Sequence, residues 1–341
     1  MSAGFEIILP FLRPIAGFIQ DPDVNEIMVN GDGRVFLERH GRLEEAEGVR
    51  LPEKSLQVAV RNIARMLGDD VSEEQPILDA RLPDGSRVAA VIPPCSLGGT
   101  TMTIRKFQRR FFTAEELVRT GTLTSAVLGR VREAIEARQT ILISGGTSTG
   151  KTTLLNALAA YLPGSERIVI IEDTAELQVN KPNVVRFEAR RAQRDLPAIT
   201  IRDLLKATLR HRPDRVIVGE VRGGEAYDLL QALNTGHAGT LSTIHANSAA
   251  QALTRLASCV LQAGVELPYV AIRYQIGDAI SLVLHLSRRD GVRTVAELVR
   301  VRRYAVDGDR YETDELMAGG AVNNNMATGP SSRIACEVLP S

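Results

Sequence analysis

Short extended runs open the chain: EIMV, a polar turn at Asn30-Gly31-Asp32-Gly33, then RVFLER up to His40-Gly41. Asn-Gly between two such runs predicts a hairpin. The period then changes from two to that of a helix. After Leu51-Pro52-Glu53, where proline suits a first helical turn, Leu56, Val60, Ile63, Ala64 and Leu67 form an apolar stripe that stops at Gly68. A second hairpin follows, with ILDARL turning at Pro83-Asp84-Gly85 into RVAAVI. Beyond Pro93-Pro94 and Gly98-Gly99 comes one more strand, TTMTIRKF. Residues 1–110 therefore read as a small α+β domain.

Residues 111–122 read as a linker carrying a short helix, and a helix is expected from about Thr124 to Ala137. Strands and helices then alternate. Ile168 to Ile171 is an apolar strand ending in Glu172-Asp173, VVRF lies around Val184, and Arg215 to Val218 is a third strand ending in Gly219-Glu220. Thr200, with Asp203 three residues on, opens a helix through a near capping box. Further helices from Gly224, Ser248 and Leu267 surround strands near Leu241 and Ile280. This rhythm predicts an α/β domain over 123–316 with a mostly parallel, helix-covered sheet. Residues 317–341, rich in Gly, Ala, Asn and Ser, are expected to be a disordered tail.

The candidate chemistry centres on ILISGGTSTGKTT, Ile141 to Thr153. It is a full G-x-x-x-x-G-K-T match from Gly145 to Thr152, between a β-branched run and the helical pattern LLNALAAYL. Glycines there let backbone N–H groups turn onto phosphate oxygens, and the next helix points its positive end at the same anion. Gly145, Gly146, Thr147, Ser148, Thr149, Gly150, Lys151, Thr152 and Thr153 are the expected nucleotide contacts. Lys151 would reach the β- and γ-phosphates of ATP, and Thr152 would ligate Mg²⁺. In an open α/β sheet ligands sit at the carboxyl ends of the strands, so Glu172, Asp173 and Glu220 should face the nucleotide. One acid can activate water and another can hold the magnesium hydration shell; the alternative is that they cap the following helices. Thr235 to Ala246 places His237 and His245 among small residues, where a histidine could distinguish ATP from ADP or serve simply as a satisfied polar group.

Charge and cysteine content narrow the classes. Lys plus Arg equals Asp plus Glu at 41 each, so no excess positive charge marks nucleic acid or anionic lipid as a partner. Cys95, Cys259 and Cys336 fit no metal spacing and suit a reducing cytoplasm. The apolar run Phe5 to Ile19 is broken by Pro10, Arg13 and Pro14 and is shorter than the ~20 residues of a membrane span. It reads as a docking helix, with peripheral membrane contact as the second reading.

In order and spacing, GGTSTGKTT, IIEDTAEL, LRHRPDRVIVGEVRGGEA and NTGHAGTLSTIHANS resemble the Walker A, acidic, Walker B and histidine motifs of the secretion ATPases. These are the motors of type II and type IV secretion, conjugation and type IV pili. Upstream, NEIMVNGDGRVFLERHGRLE and DARLPDGSRVAAVIPP resemble the amino-terminal domain of the TrbB-type conjugal-transfer and tight-adherence pilus ATPases. The resemblance implies a RecA-like ATPase domain, with Glu220 as general base, Glu172 as a second acid at the water or magnesium, and His245 as γ-phosphate sensor. It puts Arg222 in the Walker B environment and brings Arg87 and Arg105 of the first domain to the nucleotide. It further implies a homohexamer, peripheral to the cytoplasmic face of the inner membrane. Expected partners are secretion or pilus platform proteins and other secretion ATPases, without sequence-specific nucleic acid binding. Gly219 stands where a Walker B aspartate is usual. The resemblance favours conjugation over tight-adherence pilus assembly, because GGTSTGKTT is close to the conjugation branch and the long amino-terminal extension usual in the pilus branch is not seen. A RecA-like DNA translocase and a non-hydrolysing assembly scaffold remain the rivals from other classes.

Overall fold

A computed structural model describes residues 9–39, 41–107, 111–192, 196–318 and 321–322. They divide between two units, one within residues 1–110 and 192–197, the other within 111–191 and 198–341.

The first unit begins with a 3-10 turn, Leu9–Ile15, and the short helix α1, Ala16–Gln20. Strands β1 (Val24–Val29), β2 (Arg34–Arg39) and β3 (Arg42–Arg50) precede helix α2 (Glu53–Met66); β4 (Ile77–Arg81), β5 (Arg87–Val91) and β6 (Thr101–Arg105) follow. All pair antiparallel in the order β3-β2-β1-β6-β5-β4. Both hairpins and the helix lie where their patterns place them. At the first turn Gly33 has φ +82°, and a Cβ there would come within 2.6 Å of the Leu51 carbonyl oxygen, so glycine is required. The stripe of α2 is buried at Leu56, Val60, Ile63 and Ala64, in one core with Ile27, Val88 and Ile104. The described part of the amino-terminal run docks onto this same core: Leu12 and Ile15, three residues apart and so on one face, are fully buried. The β3 strand gave no apolar signal, because RLEEAEGVR is nearly all exposed and its pairing to β2 is held by backbone.

The second unit comprises α3 (Ala114–Arg119), α4 (Ser125–Glu136), β7 (Ile141–Gly145), α5 (Lys151–Ala159), β8 (Ile168–Glu172), β9 (Val184–Glu188), α6 (Ile201–Thr208), β10 (Arg215–Val221), α7 (Glu225–Asn234), β11 (Leu241–His245), α8 (Ala249–Leu261), α9 (Tyr269–Ala279), β12 (Leu282–Arg289), β13 (Val292–Ala305), β14 (Arg310–Ala318) and β15 (Ala321–Val322). One nine-stranded sheet runs β15-β14-β13-β12-β7-β11-β10-β8-β9. The members from β12 to β9 are parallel, as the alternation predicts, and β13 to β15 add an antiparallel meander at one edge. Side chains of β7 alternate between two cores: Ile141 and Ile143 pack with Leu154, Leu155 and α4, and Leu142 packs with α7 and α8.

Two expected boundaries shift. The linker helix α3 opens on a capping box between Thr113 and Glu116, and Ala114 and Leu117 are buried in the core of the second unit. Its apolar positions lie on one helical face, which makes it part of that unit. The tail was expected from residue 317, but β14 runs to Ala318 and β15 pairs back onto it. Met317 is buried there, an apolar side chain in otherwise small-residue sequence. The rest of the expected tail lies outside the described residues.

Candidate functional site

The central strand β7 is buried along its whole length and delivers the chain to the phosphate loop. Ser148 turns left-handed at φ 57° and Gly150, the residue before α5, at φ 95°. Left-handed turns of this kind are what let successive N–H groups of a loop converge as an anion nest at a helix start. Thr149 is buried and donates its hydroxyl to the Gly146 carbonyl at 3.0 Å, closing the loop on itself. A Cβ on Gly145 would lie 2.6 Å from Thr149 Oγ1 and 2.7 Å from the Leu286 carbonyl, so this glycine is a packing requirement.

Lys151, the first residue of α5, is 7 % exposed. Its ammonium donates to the Gly146 carbonyl at 2.9 Å and lies 3.4 Å from His245 Nδ1 and 4.0 Å from Glu220 Oε1. His245 Nε2 is 2.8 Å from the same Glu220 oxygen. The Lys151 ammonium is about equally far from both ring nitrogens of His245, 3.4 Å from Nδ1 and 3.3 Å from Nε2, and burial, reinforced by Lys151, holds the His245 pKa below its ordinary value. The other Glu220 oxygen accepts from Arg222 Nε at 2.6 Å and lies 2.5 Å from Nη2; Arg222 Nη1 is 3.3 Å from Asp173. Three motifs separated in sequence thus meet at Glu220.

Glu220 reaches this position through backbone geometry. Val218 pairs with Ser242 and Val221 with Ile244, so Gly219 and Glu220 together oppose Thr243 in a bulge that turns the carboxylate toward β11. Glu172, ending β8, is 3 % exposed and accepts the N–H groups of Glu176 at 2.8 Å and Leu177 at 2.9 Å. Burial pushes its carboxyl up to about 7. A Cβ on Gly219 would stand 3.0 Å from Glu172 Cγ. The glycine in place of the usual aspartate therefore makes room for Glu172.

These donors bear on Mg²⁺. Thr152 lies half-buried in the first turn of α5, Glu172 keeps one carboxylate oxygen clear of those amides, and no group of three His, Cys, Asp or Glu able to hold a metal occurs among the described residues. One hydroxyl and one carboxylate suit a Mg²⁺ that keeps its waters and takes its other ligands from phosphate oxygens.

His237 does not join the cluster: its backbone N–H and its ring Nδ1 both lie at the Ala232 carbonyl, where it finishes α7. Arg87 and Arg105 belong to the first unit, as register partners on β5 and β6. Arg87 is 3.7 Å from Asp79, and Arg105, more than half exposed, is 3.6 Å from Glu26. Two residues went unnoticed in the sequence. His285 on β12 is buried beside β7, its Nδ1 3.0 Å from the Ser144 hydroxyl; Arg293 on β13 donates from Nε to the Ser148 carbonyl at 3.1 Å. Both sit outside the phosphate motif, on β12, which pairs with β7, and on β13, which pairs with β12, neighbours that only the fold reveals.

Residues 12–313 match the family described as Type II/IV secretion system protein. The conjugal transfer protein TrbB of Rhizobium radiobacter is 37% identical over 300 residues, covering 87% of this chain and 88% of that protein. The type IV secretion system protein PtlH of Bordetella pertussis is 35% identical over 315 residues, covering 85% and 92%. Among solved structures, the ATPase DotB of Legionella pneumophila superposes with a TM-score of 0.58 at 20% identity, covering 90% of this chain and 80% of that one, which shows the shared fold.

Proposed function

Since this chain belongs to the Type II/IV secretion system protein family, we propose that it is a hexameric ATP-hydrolysing motor that energises conjugal transfer through a type IV secretion apparatus. The observation that carries this reading is the meeting of Lys151, His245 and Glu220 at the mouth of the phosphate loop, within 4.0 Å of the lysine ammonium. Lys151 gives up the Gly146 carbonyl and neutralises the β- and γ-phosphates. Glu220, its far oxygen fixed by Arg222, accepts the proton of the attacking water through the oxygen that His245 now faces. His245 shares its surroundings with both Lys151 and Glu220, so loss of the γ-phosphate changes its neighbours and reports the nucleotide state to β11. Bound Mg²⁺ would neutralise charge developing between the β- and γ-phosphates, held by Thr152 and, through water, by Glu172. Arg87 and Arg105 supply further positive charge from the first unit of the same or a neighbouring subunit.

None of the described helices is long and apolar enough to cross a membrane. Independently of that, the kinship with TrbB and PtlH, named for conjugal transfer and type IV secretion, supports a place for the motor at the cytoplasmic face of the inner membrane beside platform proteins and other secretion ATPases. The direct test is phosphate release from ATP by wild type and by Lys151→Ala. Turnover should vanish in a variant whose circular dichroism and melting are preserved. Unchanged turnover in that variant would remove the assignment. Turnover dependent on added DNA would favour the translocase, and an intact chain that binds ATP without turnover would favour the scaffold.

A further inference from the structure

Strand β7 is flanked by β11 and β12, and the register across these strands sets a polar line at the base of the phosphate loop. Ser144, the last residue before Gly145, is the register partner of His285 on β12, and His285 is in turn the partner of Glu297 on β13. Partners in register point to one face of a sheet, and this face is otherwise apolar: Leu142, Ile244, Val283 and Val299 belong to its core. Ser144 and His285 are buried in it. The Ser144 hydroxyl lies 3.0 Å from His285 Nδ1 and 3.3 Å from the Leu284 carbonyl oxygen. Burial holds the imidazole below its ordinary pKa, with Lys151 acting in the same sense and Glu297 against it, so the ring is neutral at pH 7. Glu297 accepts the N–H of Ala249, the first residue of α8, at 3.0 Å. Only Ala246, Asn247 and Ser248 separate that residue from His245. The line therefore leaves the base of the phosphate loop on one side of β7 and returns, through the start of α8, to the strand end that carries His245 on the other.

We propose that His285 is a positioning residue for hydrolysis, tying the base of the phosphate loop at Ser144, by way of Glu297, to the start of α8 and so to the seat of His245. Apolar side chains would fill this part of the core without the cost of burying polar groups, so packing alone does not account for the line. Its leverage on the loop is short. The residue after His285 is Leu286, whose carbonyl oxygen backs Gly145, 2.7 Å from where a Cβ on that glycine would stand. The proposal rests on the reading of the phosphate loop as an ATP site. It concerns how the groups at the γ-phosphate are held relative to the loop, which binds phosphate through Lys151 and backbone amides whether or not that tie is made.

The experiment measures steady-state ATP turnover, and binding of a non-hydrolysable ATP analogue, by full-length wild type, His285→Leu, His285→Asn, Ser144→Ala and the double variant Ser144→Ala with His285→Leu. His285→Leu fills the space without a polar atom, and kcat should fall by about ten- to a hundredfold, the scale of a small misplacement of reacting groups. Binding of the analogue should stay within about threefold, since the contacts to phosphate remain. His285→Asn, whose amide can take up the bond to Ser144, should recover at least half of the loss on a logarithmic scale. The double variant should be no slower than His285→Leu by more than about twofold, because both changes break the same tie. A wild-type kcat in His285→Leu would overturn the proposal, as would parallel losses of kcat and binding, or an asparagine variant no better than the leucine one. Ser144→Ala removes one hydroxyl only and carries the test if His285→Leu does not fold; a wild-type kcat there overturns the proposal equally. Wild type that binds no analogue would instead sink the reading of the loop as an ATP site, and the role of His285 with it.

Discussion

In the proposed mechanism the chemistry turns on Glu220, and its surroundings define what each substitution should do. Glu220→Gln keeps the shape and the bond from Arg222 but loses the base, so the variant should bind ATP and leave it unhydrolysed. Failure to bind ATP would contradict the base assignment; filter binding with labelled ATP distinguishes the outcomes. Glu172 makes a prediction of opposite character. Burial raises its pKa from 4.5 to about 7, so the folded state holds a proton that the unfolded state has released across that interval. The stabilisation from the protonated form is complete below 4.5 and is lost as pH rises through about 7, a difference on the order of 3 kcal/mol. The melting temperature of nucleotide-free wild type should therefore fall relative to Glu172→Gln between pH 5 and 8; a constant difference would contradict the buried, protonated state. Lys151, Glu172, Glu220 and His245 were legible as candidates because each stands at a motif position that a known chemistry requires, and their roles belong to the proposal. What Gly219 does was not readable. Its role is to clear space for a side chain on another strand, and no local pattern encodes that contact.

The elements that hold these residues were legible in proportion to their apolar periodicity. Helix α2, with its stripe from Leu56 to Ala64, and the buried parallel strands announced themselves, whereas β3 and the β13 to β15 meander did not. In β13 the sequence VRTVAELVRVRRYA mixes buried Val and Leu with arginines, since one face packs on the core and the other is exposed. The strand nonetheless matters, because its hairpin with β12 flanks the phosphate loop. At the other end of the parallel strands, Arg215 is fully buried and anchors the sheet. It donates to Glu166 at 2.6 Å, to the Ile135 carbonyl at 2.8 Å and to the Gly239 carbonyl at 3.2 Å. Removing it strands a buried carboxylate that retains only Arg138. Arg215→Ala should cost about 3–5 kcal/mol in urea unfolding, the usual consequence of breaking a buried pair. A loss under about 1 kcal/mol would show that water replaces the guanidinium freely.

At the scale of the whole molecule, a change of pattern near residue 110 suggested two units, and the proposed ring follows from neither pattern nor fold. It comes from the family and from where the arginines lie. Arg87 and Arg105 are neighbours on one sheet in a unit that does not own the phosphate loop, so their use in catalysis requires closure between units or subunits. Arg87→Ala and Arg105→Ala should each lower kcat by about 10³, the lower range for an arginine finger, while weakening ATP binding far less. Equal effects on kcat and binding would indicate a contact made already in the ground state. The most direct test of the central claim is ATP turnover per subunit measured across protein concentration, beside sedimentation of the same samples with nucleotide and Mg²⁺. A ring motor should show turnover per subunit rising as a species of about six times the chain mass forms. Full turnover by a monomer, independent of concentration, would contradict it.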